Sequence, residues 1–148
     1  MQSHSLEDIF GPVIYAYTRA DALADGVLID VTQTAAQVGF QYAVALTCSA
    51  WQQAVAWSRD DTIRKGVPQD EEGRLWDVLF MAGQKILAMK RAGVFDRQNA
   101  VQTEVNFNLH VVPRDGESRE AELTTLKINC GPGDDAEPVI TIMLPEET

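Results

Sequence analysis

Metal and disulfide chemistry find little to work with in this sequence. Cysteine is limited to Cys48 and Cys130, and histidine to His4 and His110. None of the four stands in the close pairs that structural zinc requires, so neither a metal site nor a disulfide framework is expected. Long apolar runs are also missing. Nothing approaches the ~20 residues of a membrane span, and no charged-then-apolar leader opens the chain, which makes a reducing, cytoplasmic setting without a membrane the expectation. Positive charge is scarce as well: 12 Lys and Arg stand against 22 Asp and Glu, a formal charge of -10. Such a chain repels a phosphate backbone at long range, and direct nucleic-acid binding is not expected. The same acidity would suit a DNA mimic that inhibits a nucleic-acid enzyme as part of an anti-defence function. The carboxylates are nevertheless scattered along the sequence, as on any charged, soluble surface.

What is present specifies a folded object. With 148 residues, 45% of them hydrophobic, the chain fits one globular domain, with residues 1–9 and 146–148 as loose ends. Residues 15–47 carry the densest signals. Thr18 can cap a short helix that Asp25-Gly26 ends, an apolar β-branched run over 27–31 has strand length, and Thr32 or Thr34 restarts a helix that Gly39 can close. A second strand follows over 42–46, and Thr47 then caps a helix with Ala50, Trp51, Ala54 and Val55 on one face. The polar stretch 58–69, with Gly66 and Pro68, reads as a surface loop.

The strongest helix signal covers 70–91, with Asp70, Glu71 and Glu72 at its start and Lys90 and Arg91 at its end. Leu75, Leu79, Ala82, Ile86 and Met89 repeat at helical spacing, and Trp76, Phe80 and Leu87 widen the stripe, which assigns Trp76 to the core. Further on, Val105, Phe107, Leu109 and Val111 alternate with Glu104, Asn106, Asn108 and His110. Thr124, Leu126, Ile128 and Cys130 alternate with Thr125, Lys127 and Asn129, and a last strand covers 139–144. The connections look too short for parallel crossovers. The fold class expected is therefore α+β, with helices and short strands in the N-terminal two-thirds packed on a C-terminal three-stranded antiparallel meander.

No catalytic constellation emerges. The alternation sets Cys130 on the apolar face and His110 on the polar one, which separates the one conceivable nucleophile–base pair. Gly131-Pro132-Gly133-Asp134 leads into a strand and lacks the Lys-Ser/Thr ending of a phosphate loop, so it reads as a turn. No cofactor is implied. Two features qualify as binding surfaces. One is the polar sheet face with Asn106, Asn108, His110 and Lys127, alongside Thr125, Asn129 and Thr141, for which plain solvent exposure is the competing reading. The other joins Tyr15, Tyr17, Trp51, Trp57 and Trp76 to Arg19, Arg59 and Arg74, with Asp77 beside them, for which core packing competes. The partner expected is another protein, and the chain is either a monomer or a homodimer.

Several blocks carry a family likeness: Tyr17-Thr18-Arg19-Ala20 with 25–31, Val44-Ala45-Leu46-Thr47 with Trp51, Gly73-Arg74-Leu75-Trp76-Asp77-Val78-Leu79, and Gly131-Pro132-Gly133-Asp134 with 137–145. Together they resemble a bacterial family of unknown function, similar to small accessory proteins of plasmids and other mobile elements. That resemblance covers nearly the whole chain and implies a role in transfer, maintenance or evasion of host defence, with no catalytic residues to carry over. A fainter likeness, over 13–18 and 23–28, is to the opening strand and helix of ADP-ribosyltransferase-type folds. It would nominate Arg19 and Glu104.

Overall fold

The computed structural model describes residues 16–93 and 103–148. The expected loose end at 1–9, Tyr15 and His4 lie outside the described residues. Local capping sets out the N-terminal elements. The Thr18 hydroxyl accepts from the Asp21 backbone N–H at 3.0 Å while the Asp21 carboxylate accepts from the Thr18 N–H at 3.1 Å, a reciprocal box that opens α1 (Arg19–Ala24). Gly26, at φ +76, turns the chain into β1 (Leu28–Asp30). Gly39 ends α2 (Thr32–Val38), and β2 (Ala43–Thr47) runs straight into α3 (Cys48–Ala54), capped by Thr47 through the Ala50 N–H at 3.1 Å.

Residues 58–69 do not form the surface loop that their polarity suggests. They contain α4 (Arg59–Lys65), opened by a second reciprocal box between Ser58 and Asp61 and closed by Gly66 in the left-handed region. The polar side chains hold a neighbouring loop. The buried Lys65 ammonium donates to the carbonyls of Pro113, Asp115 and Ser118, and Arg64 donates to those of Arg114 and Gly116. Next comes α5 (Glu71–Arg91), with the Asp70 carboxylate accepting from the Gly73 N–H at 2.6 Å.

Strands β3 (Thr103–Val111), β4 (Glu122–Pro132) and β5 (Pro138–Met143) pair antiparallel in sequence order. They are not a separate three-stranded meander, because β2 joins β5 in parallel and β1 joins β2 antiparallel, giving one mixed sheet in the order β1-β2-β5-β4-β3. The expectation failed because it weighed only strands adjacent in sequence. The free edge of β5 is completed by a strand from far upstream, and the intervening α3, α4 and α5 supply the long connection that a parallel pair needs.

One apolar cluster lies between α2, α3 and α5 and a single face of the sheet, with Val44, Leu46, Val78, Leu79, Leu126, Ile128 and Ile142 fully buried. Leu75, Ala82 and Met89 of the α5 stripe are buried as expected, but Trp76 is not part of the core: it is 40% exposed, with Phe80 at 46% and Leu87 at 45%. The apolar arc of α5 is wider than the surface available to cover it. On the opposite sheet face, Arg19 reaches Thr141 and the Ile140 carbonyl, and Glu147 gathers Thr47, Lys127 and the Leu144 N–H.

Candidate functional site

The uncovered part of α5 forms one wall of a cleft of about 1020 Å³. The far wall comes from the α2–β2 connection, with Phe40 and Tyr42, and the floor from the start of β5 and the end of β4, including Cys130. Phe80, Leu87 and Lys90 line the helical side. Their positions follow from helical spacing: Phe80 and Leu87 lie two turns apart on one edge of α5, and Lys90 follows one turn later, near the negative end of the helix dipole. Phe80 also lines a smaller depression of about 330 Å³, which it shares with Asp77, Met81, Asn108, His110 and Leu123.

Burial pushes the Cys130 thiol up, only partly opposed by Lys90, so the neutral thiol dominates and its nucleophilicity is low. Lys90 supplies a cation beside aromatic and aliphatic surface, and Gln41 and Gln84 supply amides. Among the described residues no group of three or more His, Cys, Asp or Glu is placed to hold a metal ion, and no helix is long and apolar enough to cross a membrane.

A family model described as "Family of unknown function (DUF6573)" matches residues 8–148. The chain belongs to DUF6573. No curated protein and no solved structure matches it. Within this DUF6573 chain, the candidate binding residues named from the sequence scatter, and none of them lines the larger cleft.

Asp77, Asn108 and His110 converge on the smaller depression, with the exposed Trp76 adjacent on α5. Asn106 is exposed on the same strand as Asn108 and His110. Tyr17 is exposed and its hydroxyl donates to Asp25 at 2.7 Å. Arg19 belongs to the packing of the opposite sheet face. Its guanidinium donates to the Thr141 hydroxyl at 2.6 Å and to the Ile140 carbonyl at 3.0 Å; burial lowers its pKa, countered by Asp134, Asp30 and Glu137. Lys127 is buried under the C-terminal residues, donating to the Glu147 carbonyl and lying 3.6 Å from Glu104.

Arg74 is a structural clamp rather than part of an open surface. It is buried, with Nε on the Val55 carbonyl at 3.0 Å, Nη1 on the Val112 carbonyl at 3.0 Å, and its guanidinium 4.8 Å from the centre of the buried Trp57 ring. The aromatic and arginine set named from the sequence contains both Arg74 and Trp57, without pairing them. The pair that forms crosses from α5 to the segment after α3.

Phe40, Tyr42, Phe80, Leu87 and Lys90 were missed as site residues. A signal for two of them existed: Phe80 and Leu87 extend the α5 stripe beyond the arc that one packing face can bury. Arg19 and Glu104 do reach the same sheet face, along the register Glu104↔Asn129↔Thr141. Each is already engaged there, Arg19 by Thr141 and Glu104 by the Asn129 amide at 2.9 Å.

Proposed function

We propose that this DUF6573 chain is a non-enzymatic binding protein of a mobile genetic element, acting in the cytoplasm, and that its cleft receives an apolar segment of another protein tipped with an acidic group. The observation that carries this reading is the combination of exposed aromatic and aliphatic walls with the Lys90 ammonium at one end of the cleft. Apolar concavities with a few placed polar groups are the usual form of a binding site, and a cation bordering apolar surface selects an acidic, amphipathic partner. The accessory-protein setting is supported by the sequence blocks described above. A duplex-like acidic array gains little support, since Asp134 accepts from the Arg19 and Ala20 N–H groups and Glu137 from the Asp135 N–H.

Anilinonaphthalene sulfonate reproduces this chemistry in small form, with apolar rings and one sulfonate. The expected outcome is a single enhanced-fluorescence site per chain, abolished by Phe80→Asp and weakened about two- to fivefold by Lys90→Gln, an exposed ion pair being worth up to about 1 kcal/mol. Dye binding that survives both substitutions would assign the site elsewhere. A native mass spectrum of the purified protein adds an independent check, because a stoichiometric nucleotide or metal would overturn the non-enzymatic reading.

A further inference from the structure

The outer strand β3 is an open edge of unusual kind. It is nine residues long, and among the described residues it pairs only with β4, on one side. Its register runs from Thr103↔Cys130 to Val111↔Glu122 without a skipped residue, so no bulge bends it away. It contains no proline and no lysine, the residues that commonly protect such an edge. Backbone N–H and C=O groups of alternate residues therefore point outward along its length, as in any singly paired antiparallel strand. The 330 Å³ depression lies beside this edge, with Phe80 and Met81 from α5 on one side and Asn108 and His110 from β3 on the other.

The sequence of β3 complements itself when reversed. In an antiparallel pair centred on Phe107, Val105 faces Leu109, Asn106 faces Asn108, and Glu104 faces His110, each pair occurring twice about the two-fold axis. Apolar meets apolar, amide meets amide, and carboxylate meets imidazole, with only the terminal Thr103–Val111 pairs mixed. This register overlaps all nine residues. A shift by one residue would place polar side chains opposite apolar ones, because paired residues share a sheet face. A centre on Asn106 or Asn108 keeps the faces but shortens the overlap and loses the Glu104–His110 match.

From this complementarity we infer that β3 is a homodimerisation edge, joining two copies of the chain antiparallel into one continuous sheet, with the exposed Phe80 and Met81 of each copy flanking the junction. The contact is isologous, as a two-fold dimer requires. It uses the β3 edge, which does not line the cleft except at Thr103, and extends beyond the binding role proposed for the cleft, although Phe80 borders both.

Sedimentation equilibrium of the full chain over a wide concentration range tests the inference. The expected result is a reversible monomer–dimer equilibrium. N106K together with N108K sets like charges opposite one another twice across the axis, at exposed positions. It should weaken the dimer about tenfold, with an unchanged circular dichroism spectrum. H110E, which opposes Glu104 with a second carboxylate, should also weaken it, and E104H combined with H110E should restore it. A chain that stays monomeric up to about 1 mM, near the weak limit of measurable association, would overturn the inference. So would a dimer indifferent to all three changes, which would place the contact elsewhere. An edge that takes up an unrelated strand while the chain remains monomeric would refute self-pairing too.

Discussion

Arg74 and Trp76 sit two positions apart on α5 and show how much depends on direction from a helix. Arg74 points inward to two carbonyls and an aromatic ring, while Trp76 stands 40% exposed. Arg74→Ala should cost about 3 to 5 kcal/mol, because the carbonyls of Val55 and Val112 each lose a charged hydrogen bond worth about 1.5 to 3 kcal/mol. Trp76→Ala should stay within about 0.5 kcal/mol of the parent, as surface substitutions do. Thermal or urea denaturation of the two variants separates them, and a loss for Trp76→Ala as large as that for Arg74→Ala would return Trp76 to the core. Neither outcome was legible from spacing alone. Both residues border the buried arc of the helix, and only the position of neighbouring elements decides which of them is covered.

At the scale of the element, α4 is the instructive case. Its start and stop signals, Ser58 with Asp61 and then Gly66, are present in the sequence, yet the segment has too few apolar residues to form a visible stripe. Its stability comes from the caps and from the loop after β3 that Lys65 and Arg64 hold. Ser58→Ala should therefore cost about 1 to 2 kcal/mol, the range of lost N-caps, measured as a shift in unfolding midpoint. Asp61 adds a pH dependence. Burial would raise its carboxyl, but the Ser58 N–H and hydroxyl, Arg64 and Arg114 outweigh that cost and hold it well below the usual carboxylate range. Since the folded value is depressed, its contribution is complete above the unfolded value of about 3.9 and is lost as pH falls toward the folded value. Asp61→Asn should flatten the acid limb of the stability profile below about pH 4. An acid limb as steep as the parent's in that variant would remove Asp61 from the account.

For the whole molecule, the parallel pairing of β2 with β5 is the joint that makes one sheet of two sequence-separated sets of strands. Val44 and Leu46 on one side and Ile140 and Ile142 on the other belong to the same buried cluster. Amides of β2 and β5 should accordingly exchange with solvent only through global unfolding, whereas those of the three-residue edge strand β1 exchange faster. If β2 lost protection well before β4 and β5 did, the joint would not be part of the cooperative unit.

The sequence by itself determined the elements whose hydrogen bonds close within a few residues. Thr18 and Asp21, Thr47 and Ala50, and Asp70 and Gly73 start helices, Gly26 and Gly39 end local segments, and the two-residue alternation of β3 and β4 defines a wet and a buried face. Tertiary structure alone decided that β2 lies beside β5, that the guanidinium of Arg74 is enclosed while the indole of Trp76 is not, and that Phe40, Tyr42, Phe80 and Lys90 face a common cleft. The physical reason is range. A cap or a turn is stabilised by groups within reach of the same few peptide units, so residue types report it directly. A strand partner, a buried cation and a cleft depend on surfaces contributed from distant parts of the chain, and those meet only when the competing ways of covering the apolar faces have been resolved by packing.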